Sequence, residues 1–250
     1  MSYFGSSDFY LRVQQGLVTG YAAVLKFGRN SDVDTGGLED IWTGGGTWVQ
    51  PTAARVHDIV SSSANDDGSP AGTGAQTVKV MGLDGTYALA EETITMDGTT
   101  NVATVGSYII TYRMYVVTAG SGGANAGAIT ATAQTDATVT ARIEIGDNQT
   151  LMAVYQIPAG KTGYITHYYG SMNNPLTATS GDLRLMVKPF GEVYQIKHLL
   201  GLISTGSSLV DYQLEIPMAL TEKSLVKITA ETSGNNVDIS AGFDIVLVDN

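Results

Sequence analysis

Cysteine is absent from this chain of 250 residues, and histidine is nearly so, with three residues. The first absence excludes disulfide bonds and thiolate zinc sites, and it fits folding in a reducing cytoplasm. Three imidazoles without a thiolate are poor material for a transition-metal centre. We therefore predict neither a metal nor a cofactor. The histidines are His57, His167 and His198.

Basic residues are scarce as well, since thirteen Lys plus Arg stand against twenty-four Asp plus Glu, for a net charge of −11. Phosphate binding needs clustered cations, and no basic stripe is present, which argues against nucleic acid as a partner. Long apolar runs are missing too. The apolar stretch 21–25 is stopped by Lys26, so we expect no membrane-spanning helix, no secretory signal and no membrane partner.

What is abundant is short β-rich sequence, bounded by Gly, Asn, Asp and Pro, with little helical periodicity. This predicts a mainly β fold with one or two antiparallel β-sandwich or jelly-roll lobes. The run 108–118 is long and β-branched, which favours a central strand. Residues 61–76 have almost no apolar side chain and are expected to form an exposed loop.

The chain divides into an irregular N-terminal arm at 1–45, a first β-sandwich lobe at 46–146 and a second at 147–250. The second lobe holds seven strand candidates in about a hundred residues, which is the spacing of a sandwich. The candidates are 151–157, 162–172, 182–189, 192–200, 211–218, 224–232 and 243–249.

The arm is the predicted docking segment, because it is aromatic without a strong strand pattern of its own. Phe9, Val13 and Leu17 suit one or two helical turns, while Phe9, Leu11 and Val13 suit a strand equally well, so both structures stay open. The aromatic residues of the arm are Tyr3, Phe4, Phe9 and Tyr10.

Gly160-Lys161-Thr162 matches the end of a nucleotide-binding loop. That loop also needs a Gly five positions before Gly160, where Tyr155 stands, and a helix after it, where the sequence looks extended. Pro158 instead presets the backbone of a turn. We predict a hairpin turn with Lys161 at the exposed start of a strand.

Asn30, Asp32 and Asp34 place oxygen-bearing side chains two residues apart, as in a loop that wraps calcium. An EF-hand also needs a carboxylate at its twelfth position, which is Ile41 here, and its Gly is one place late. We predict a polar turn and keep a cation as the alternative. The acidic residues close enough to assist a cation are Glu39 and Asp40.

Tyrosines and a histidine cluster at 164–169. In a strand this cluster splits across the sheet, and we predict that one face is core while the other contacts a sugar or a neighbouring subunit. The core or interface reading is favoured, since aromatics are enriched there without any ligand. The two faces are Tyr164, Thr166 and Tyr168 against Ile165, His167 and Tyr169.

Each candidate catalytic pattern in the sequence lacks a residue or a geometry that the reaction requires. His57-Asp58 has no nucleophile elbow to accompany it. The neighbouring carboxylates Glu91 and Glu92 point to opposite faces of a strand, so they cannot share a glycosidase site. The sequon at Asn148 carries no weight without a secretory signal. We predict no catalytic residues and no enzyme activity.

The segments 25–51, 61–85, 93–131, 153–166 and 240–250 resemble, in this order, virion proteins of tailed bacteriophages, especially those of marine and cyanobacterial hosts. The resemblance covers most of the chain from Leu25 onward. It implies a β-sandwich or jelly-roll structural protein in the virion, made in the bacterial host cytoplasm, with no catalytic residues to transfer.

The first functional hypothesis is a capsid decoration or cement protein, or a head appendage, attached to the major capsid protein by symmetric contacts. We expect a homo-oligomer, with a trimer preferred on the resemblance. A neck or tail component is the variant within this class. The alternative class is a receptor-binding module that stacks glycans on exposed Tyr or Trp. Trp42 and Trp48 flank a triple-Gly loop that could present them, but buried anchors are the favoured interpretation of both.

Overall fold

The computed structural model describes residues 6–173, 179–204 and 207–250. Within these ranges the chain forms one helix and sixteen strands, and every strand pair is antiparallel, so the predicted mainly β fold is confirmed. The elements are α1 Ser6–Gln14, β1 Tyr21–Val33, β2 Glu39–Asp40, β3 His57–Ser61, β4 Ala75–Asp84, β5 Leu89–Thr95, β6 Val102–Ala103, β7 Tyr108–Ala119, β8 Ile129–Ala133, β9 Thr138–Ile143, β10 Val154–Gln156, β11 Lys161–Asn173, β12 Thr179–Lys188, β13 Gln195–Ser204, β14 Ser207–Leu220, β15 Leu225–Thr232 and β16 Val237–Asp249.

The strands form four sheets. Sheet I has the order β1-β16-β11-β14, and sheet II has the order β10-β15-β12-β13 with β2 beside β15. Sheet III runs β6-β3-β8-β9, and sheet IV runs β5-β4-β7. All seven strand candidates of residues 147–250 are strands of sheets I and II.

Strand β7 was predicted to be central, but it stands at one end of the order in sheet IV. Its residues from Tyr108 to Tyr112 are all buried, and Lys26 of β1 donates to the carbonyl of Tyr112. A β-branched, aromatic run therefore indicated burial on both faces. It did not indicate position within a sheet, because packing against other elements buries a strand equally well.

The irregular arm predicted at 1–45 is wrong for its middle part, because residues 21–33 form β1. This strand pairs along β16, from Tyr21 opposite Val248 to Val33 opposite Val237. Its inward side carries Lys26, Gly28 and Asn30, all buried. These residues hide the alternation of polar and apolar side chains by which a strand is recognised.

Before β1, helix α1 settles the open choice between helix and strand. Val13 is buried, and the ring of Phe9 meets that of Tyr21 edge-on at 5.7 Å, so the helix folds back onto β1. Leu17 lies beyond the last helical residue and is exposed. Tyr3 and Phe4 lie outside the described residues. No helix in the described ranges is both long and apolar enough to cross a membrane.

One buried hydrophobic cluster contains residues of all four sheets.

The loop 61–76 is organised around Asp66, which is fully buried at 0% exposure. Its carboxylate accepts hydrogen bonds from the N–H groups of Ala75, Ala126 and Gly127 and from the Ser61 hydroxyl. The loop is therefore not wholly exposed as predicted, because a buried polar centre orders it where apolar side chains are missing.

Candidate functional site

The aromatic cluster of β11 straddles sheet I, but not with the predicted faces. A β-bulge at Thr166 interrupts the pairing of β11 with both neighbouring strands. Ile165 and Tyr168 are buried in the core, whereas His167 and Tyr169 lie on the outer face. One extra residue shifts an alternation of period two, so Tyr168 shares the core face with Ile165, from which the predicted faces separated it.

His167 joins three strands on that outer face. Its Nδ1 lies 3.0 Å from Asp244 Oδ2 on β16, and its Nε2 hydrogen-bonds Asp211 on β14. Its ring tilts against that of Tyr169 at a centroid distance of 5.1 Å. An imidazole between two carboxylates donates from both nitrogens only when it is protonated, so the arrangement favours the charged form.

The pKa of His167 follows this geometry. Partial burial acts to lower the pKa, but the hydrogen bonds to Asp211 and Asp244 and the charges of both carboxylates outweigh that effect, so the pKa is raised. The Oδ1 atom of Asp244 is buried without a hydrogen-bond donor among the described residues. The site therefore holds a positive bridge that acidification strengthens and alkaline pH removes.

A cleft of about 430 Å³ opens above this bridge, between helix α1 and the outer face of sheet I. We call it the helix–sheet cleft. Helix α1 supplies Tyr10 and Gln14 as one wall, and the rim carries Leu25, which is 58% exposed. The other lining residues are Ala23, Val24, Thr166, Asp211, Gln213, Asp244, Ile245 and Val246.

The loop proposed for a cation uses its oxygens internally. Asn30 donates to Glu39 Oε2 at 2.9 Å and accepts from the N–H of Asp32 at 3.0 Å. Glu39 also accepts from the N–H of Asp34 at 3.0 Å, and Asp34 accepts from that of Asn236. The described residues contain no group of acids and histidines arranged to hold a metal ion. The predicted polar turn is wrong for Asn30 and Asp32, which lie at the end of β1; a turn begins only after Val33, where Glu39 accepts from the N–H of Asp34.

The Gly160-Lys161-Thr162 triplet lies where β11 begins, and Gly160 has a φ of +72°. Lys161 forms an ion pair with Asp249. The predicted turn is present, but it joins β10 of sheet II to β11 of sheet I, so it is not a hairpin. The turn residues determine only that the chain reverses direction. Which strands then pair is determined by the rest of the fold, and here β10 and β11 pair in different sheets.

The remaining candidates are separated. His57 is buried with its Nδ1 2.9 Å from the carbonyl oxygen of Arg55, and burial lowers its pKa. Its neighbour Asp58 accepts instead from Gln134. His198 stacks against Tyr168 and Tyr212. The three histidines thus occupy three different sheets and share no site.

Neighbouring carboxylates and the sequon also have structural partners. Glu91 pairs with Lys79 at 2.7 Å, while Glu92 accepts from the hydroxyl of Tyr108 at 2.8 Å. Asn148 has a φ of +58° and exchanges hydrogen bonds with Asn125. Each of these polar groups therefore stabilises a turn or a strand pair.

Both tryptophans proposed for glycan stacking are core residues. Trp42 is 5% exposed and Trp48 is 2% exposed. The indole N–H of Trp48 donates to the carbonyl of Thr140 at 2.8 Å, and that of Trp42 to the carbonyl of Gly45 at 2.9 Å. A triple-Gly loop between two tryptophans therefore signals two buried anchors and a tight turn.

Asp211 and Asp244 were missed at the level of the sequence. They lie 44 and 77 residues from His167, and only the order β16-β11-β14 brings all three together. No local spacing carries that information. Charged residues within strand candidates, at Asp211 and Asp244, were the one available signal.

No family model matches the chain. No curated protein matches it either. Among solved structures, that of infectious bursal disease virus Gt strain matches with 11% sequence identity and a TM-score of 0.26. The match covers 92% of the present chain and 73% of the viral chain. The VP2 subviral particle of the same virus has 11% identity and a TM-score of 0.28, with coverage of 93% and 73%. Similarity at this level carries no argument about fold or function.

Proposed function

We propose that this chain is a structural protein of a virion and that sheets I and II together form a jelly roll. The support is the order in which the eight main strands of these sheets pair. The eight strands are β1 and β10 to β16. Numbered along the chain, sheet I takes the first, eighth, third and sixth strands, and sheet II takes the second, seventh, fourth and fifth. Two interleaved Greek keys wind in this way, and capsid proteins are a common use of that architecture.

Sheets III and IV belong to the segment between the first and second of these eight strands. In the proposed arrangement they form an outward lobe inserted into one loop of the jelly roll. Insertions are tolerated in a surface loop because the cost of closing a loop grows slowly with its length. The strongly acidic balance of the chain disfavours contact with packaged DNA, which fits a place on the outside of the particle.

Within the particle, the role proposed is that of a capsid decoration or cement protein, or a head appendage, with a neck or tail component as the variant. Helix α1 and the helix–sheet cleft form the docking surface. Leu11 on the helix and Leu17 after it are 57% and 61% exposed, and Leu25 on the rim of the cleft is exposed as well. Repeated copies, preferably as a trimer, then attach firmly through modest contacts to a symmetric site.

Attachment can be tested with phage particles that lack the wild-type copy of this chain. We expect the protein lacking residues 1–20, and the double variant Leu11→Ser with Leu17→Ser, to be lost from purified particles while far-UV circular dichroism stays β-rich. Ile145→Ser is the control, because Ile145 is 60% exposed but belongs to the other lobe. Unchanged occupancy of the double variant would contradict docking through α1.

The virion role has its own test. Mass spectrometry of density-purified particles should detect the wild-type chain in a fixed copy number, and its absence there would overturn the proposal. A number that matches the capsid lattice indicates a head protein, whereas the small number of a single closed ring indicates the neck or tail, because oligomer symmetry fixes the count.

A further inference from the structure

We propose that a second cavity binds a saccharide that carries a carboxylate. This cavity lies between the lobe of sheets I and II and the lobe of sheets III and IV. The cavity has a volume of about 240 Å³ and is separate from the helix–sheet cleft. We call it the turn pocket. It is framed by the turn after β4, the turn after β12 and the turn after β14. The side chains that carry the argument are Gln50, Tyr87, Lys188, Phe190 and Lys223.

Two aromatic rings form one wall. Tyr87 and Phe190 meet edge-to-face with centroids 5.6 Å apart, and Phe190 is 56% exposed. The C–H face of a pyranose packs on such a ring, and an aromatic body with a wet rim is typical of small-ligand sites. An exposed Phe held by a second ring supplies the flat surface that the buried Trp42 and Trp48 do not.

Two lysines line the same cavity, and the ammonium of Lys188 lies 5.8 Å from the ring centre of Tyr194. Lys223 Nζ lies 5.5 Å from the ring centre of Tyr87 and 5.2 Å from that of Phe190. None of the ion pairs within the described ranges includes Lys188 or Lys223. In a chain of net charge −11, two cations without a carboxylate partner at one cavity fit an anionic group on the ligand.

One acidic residue also lines the turn pocket. The Glu192 carboxylate accepts a hydrogen bond from the side chain of Gln195 at 3.1 Å, which turns part of its charge toward that residue. Because Lys188 and Lys223 belong to the same lining as this one carboxylate, the lining side chains still sum to a positive charge.

The backbone holds this arrangement at a cost. Tyr87 has a φ of +66° and Lys223 a φ of +62°, and a non-glycine residue in that region costs about 1 kcal/mol or more. Hydrogen bonds fix both turns, since the Tyr87 carbonyl accepts from Ala159 at 2.9 Å and the Lys223 N–H donates to the Ile157 carbonyl at 2.8 Å. Two strained residues that place their side chains in one cavity indicate a selected site.

Amide groups complete the polar lining. The side-chain amide of Gln50 donates to Gln156 Oε1 at 2.9 Å, and that of Gln156 donates to the carbonyl of Lys223 at 2.9 Å. Both donors are thereby oriented, which leaves the Gln50 side-chain oxygen to accept from a sugar hydroxyl. The pocket thus combines a ring face, a cationic pair and an oriented amide, which are the groups that recognise a uronic acid.

The purified chain provides the test, by calorimetric titration with tetragalacturonate and, in parallel, with the neutral maltotetraose. We expect tetragalacturonate to bind and maltotetraose to bind at least about tenfold more weakly, since a lost charged hydrogen bond is worth about that factor. Phe190→Ala and Lys223→Gln should each weaken tetragalacturonate binding about tenfold or more. Phe27→Ala and Lys79→Gln are the matched controls on other surfaces, since Phe27 lies on β1 and Lys79 on β4 of sheet IV, and they should leave binding unchanged.

No binding of tetragalacturonate by the wild-type chain would overturn the proposal, as would equal weakening in the control variants. Equal affinity for maltotetraose would overturn the role of the carboxylate. In a further outcome, millimolar inorganic phosphate displaces tetragalacturonate while Phe190→Ala leaves the affinity unchanged. The cavity would then bind anions without recognising a sugar, and this result would also overturn the proposal. These outcomes are independent of particle attachment, so either proposal can fail alone.

Discussion

Asp66 is a carboxylate that replaces a hydrophobic core in its loop. Three N–H groups and one hydroxyl donate to it, and it is fully buried. Asp66→Ala leaves those donors without a partner, so we expect the free energy of unfolding to fall by about 3 kcal/mol or more. Urea denaturation measures this. Asp67→Ala is the control, because the Asp67 carboxylate accepts from the N–H of Ser69 at an exposed position and its loss should cost less than about 1 kcal/mol.

Lys26 is a buried amine whose Nζ donates to the carbonyl of Tyr112 at 2.5 Å. Burial, with a smaller contribution from the charge of Arg113, lowers its pKa to about 7 from an ordinary value of 10.5. Between these two pH values the unfolded chain binds the proton and the folded chain does not. The stability contributed by this residue therefore rises with pH across that window and is lost as pH falls through 7.

Replacement of Lys26 by Met should remove this pH dependence. We expect Lys26→Met to be more stable than the wild type at pH 6 and to lose that advantage by pH 10, because burial then carries no charge penalty for either chain. Denaturation curves of both chains from pH 6 to 10 give the difference. A difference that does not change with pH would contradict a neutral Lys26 in the folded protein.

At the scale of elements, the bridge through His167 ties strands β14 and β16 across β11. Its raised pKa means that the stabilising contribution is complete below pH 6.5 and is lost as pH rises through the folded pKa. We expect amide exchange in β14 to accelerate as pH rises from 6 to 9, beyond the intrinsic effect of pH. In His167→Gln that additional acceleration should disappear. Strand β5 of sheet IV is the internal control and should show none in either chain.

Elements are also where the sequence was least informative. Strand β1 escaped recognition because Lys26, Gly28 and Asn30 occupy its inward side. Gly28 is required there, since a Cβ atom would collide with the carbonyl oxygen of Ile41 and the amide of Ala153. The faces of β11 were misassigned for a different reason, namely the bulge at Thr166. A bulge depends on how two neighbouring strands pair, and a single strand carries no pattern for it.

For the whole molecule, the junction between the lobe of sheets I and II and the lobe of sheets III and IV is built from buried polar contacts. Asp40 accepts from Lys227 at 2.8 Å and from the N–H of Trp48 at 2.6 Å. Trp48 in turn donates to Thr140 of sheet III. Burial raises the pKa of Asp40 against the opposing effect of Lys227. The two lobes therefore share one interior and do not form two independent cores.

A shared interior predicts a single unfolding transition. We expect tryptophan fluorescence, which reports on the junction through Trp42 and Trp48, and far-UV circular dichroism, which reports on all four sheets, to give coincident urea curves. Two separate transitions, with fluorescence changing at the lower urea concentration, would mean that the lobes part before either unfolds. Asp40→Ala should lower the common midpoint without splitting it.

The sequence by itself determined the β class and all seven strands of the second half, because alternation and turn residues act over a few neighbouring positions. It also determined the turn that ends at Gly160, since Pro158 and Gly160 are local signals, but not that this turn joins two different sheets. Only the tertiary structure decided which strands pair, how His167 meets Asp211 and Asp244, and how Tyr87, Phe190 and Lys223 converge. Those contacts join residues far apart in the chain, and their geometry depends on sheet order, a bulge and three turns that no local pattern encodes.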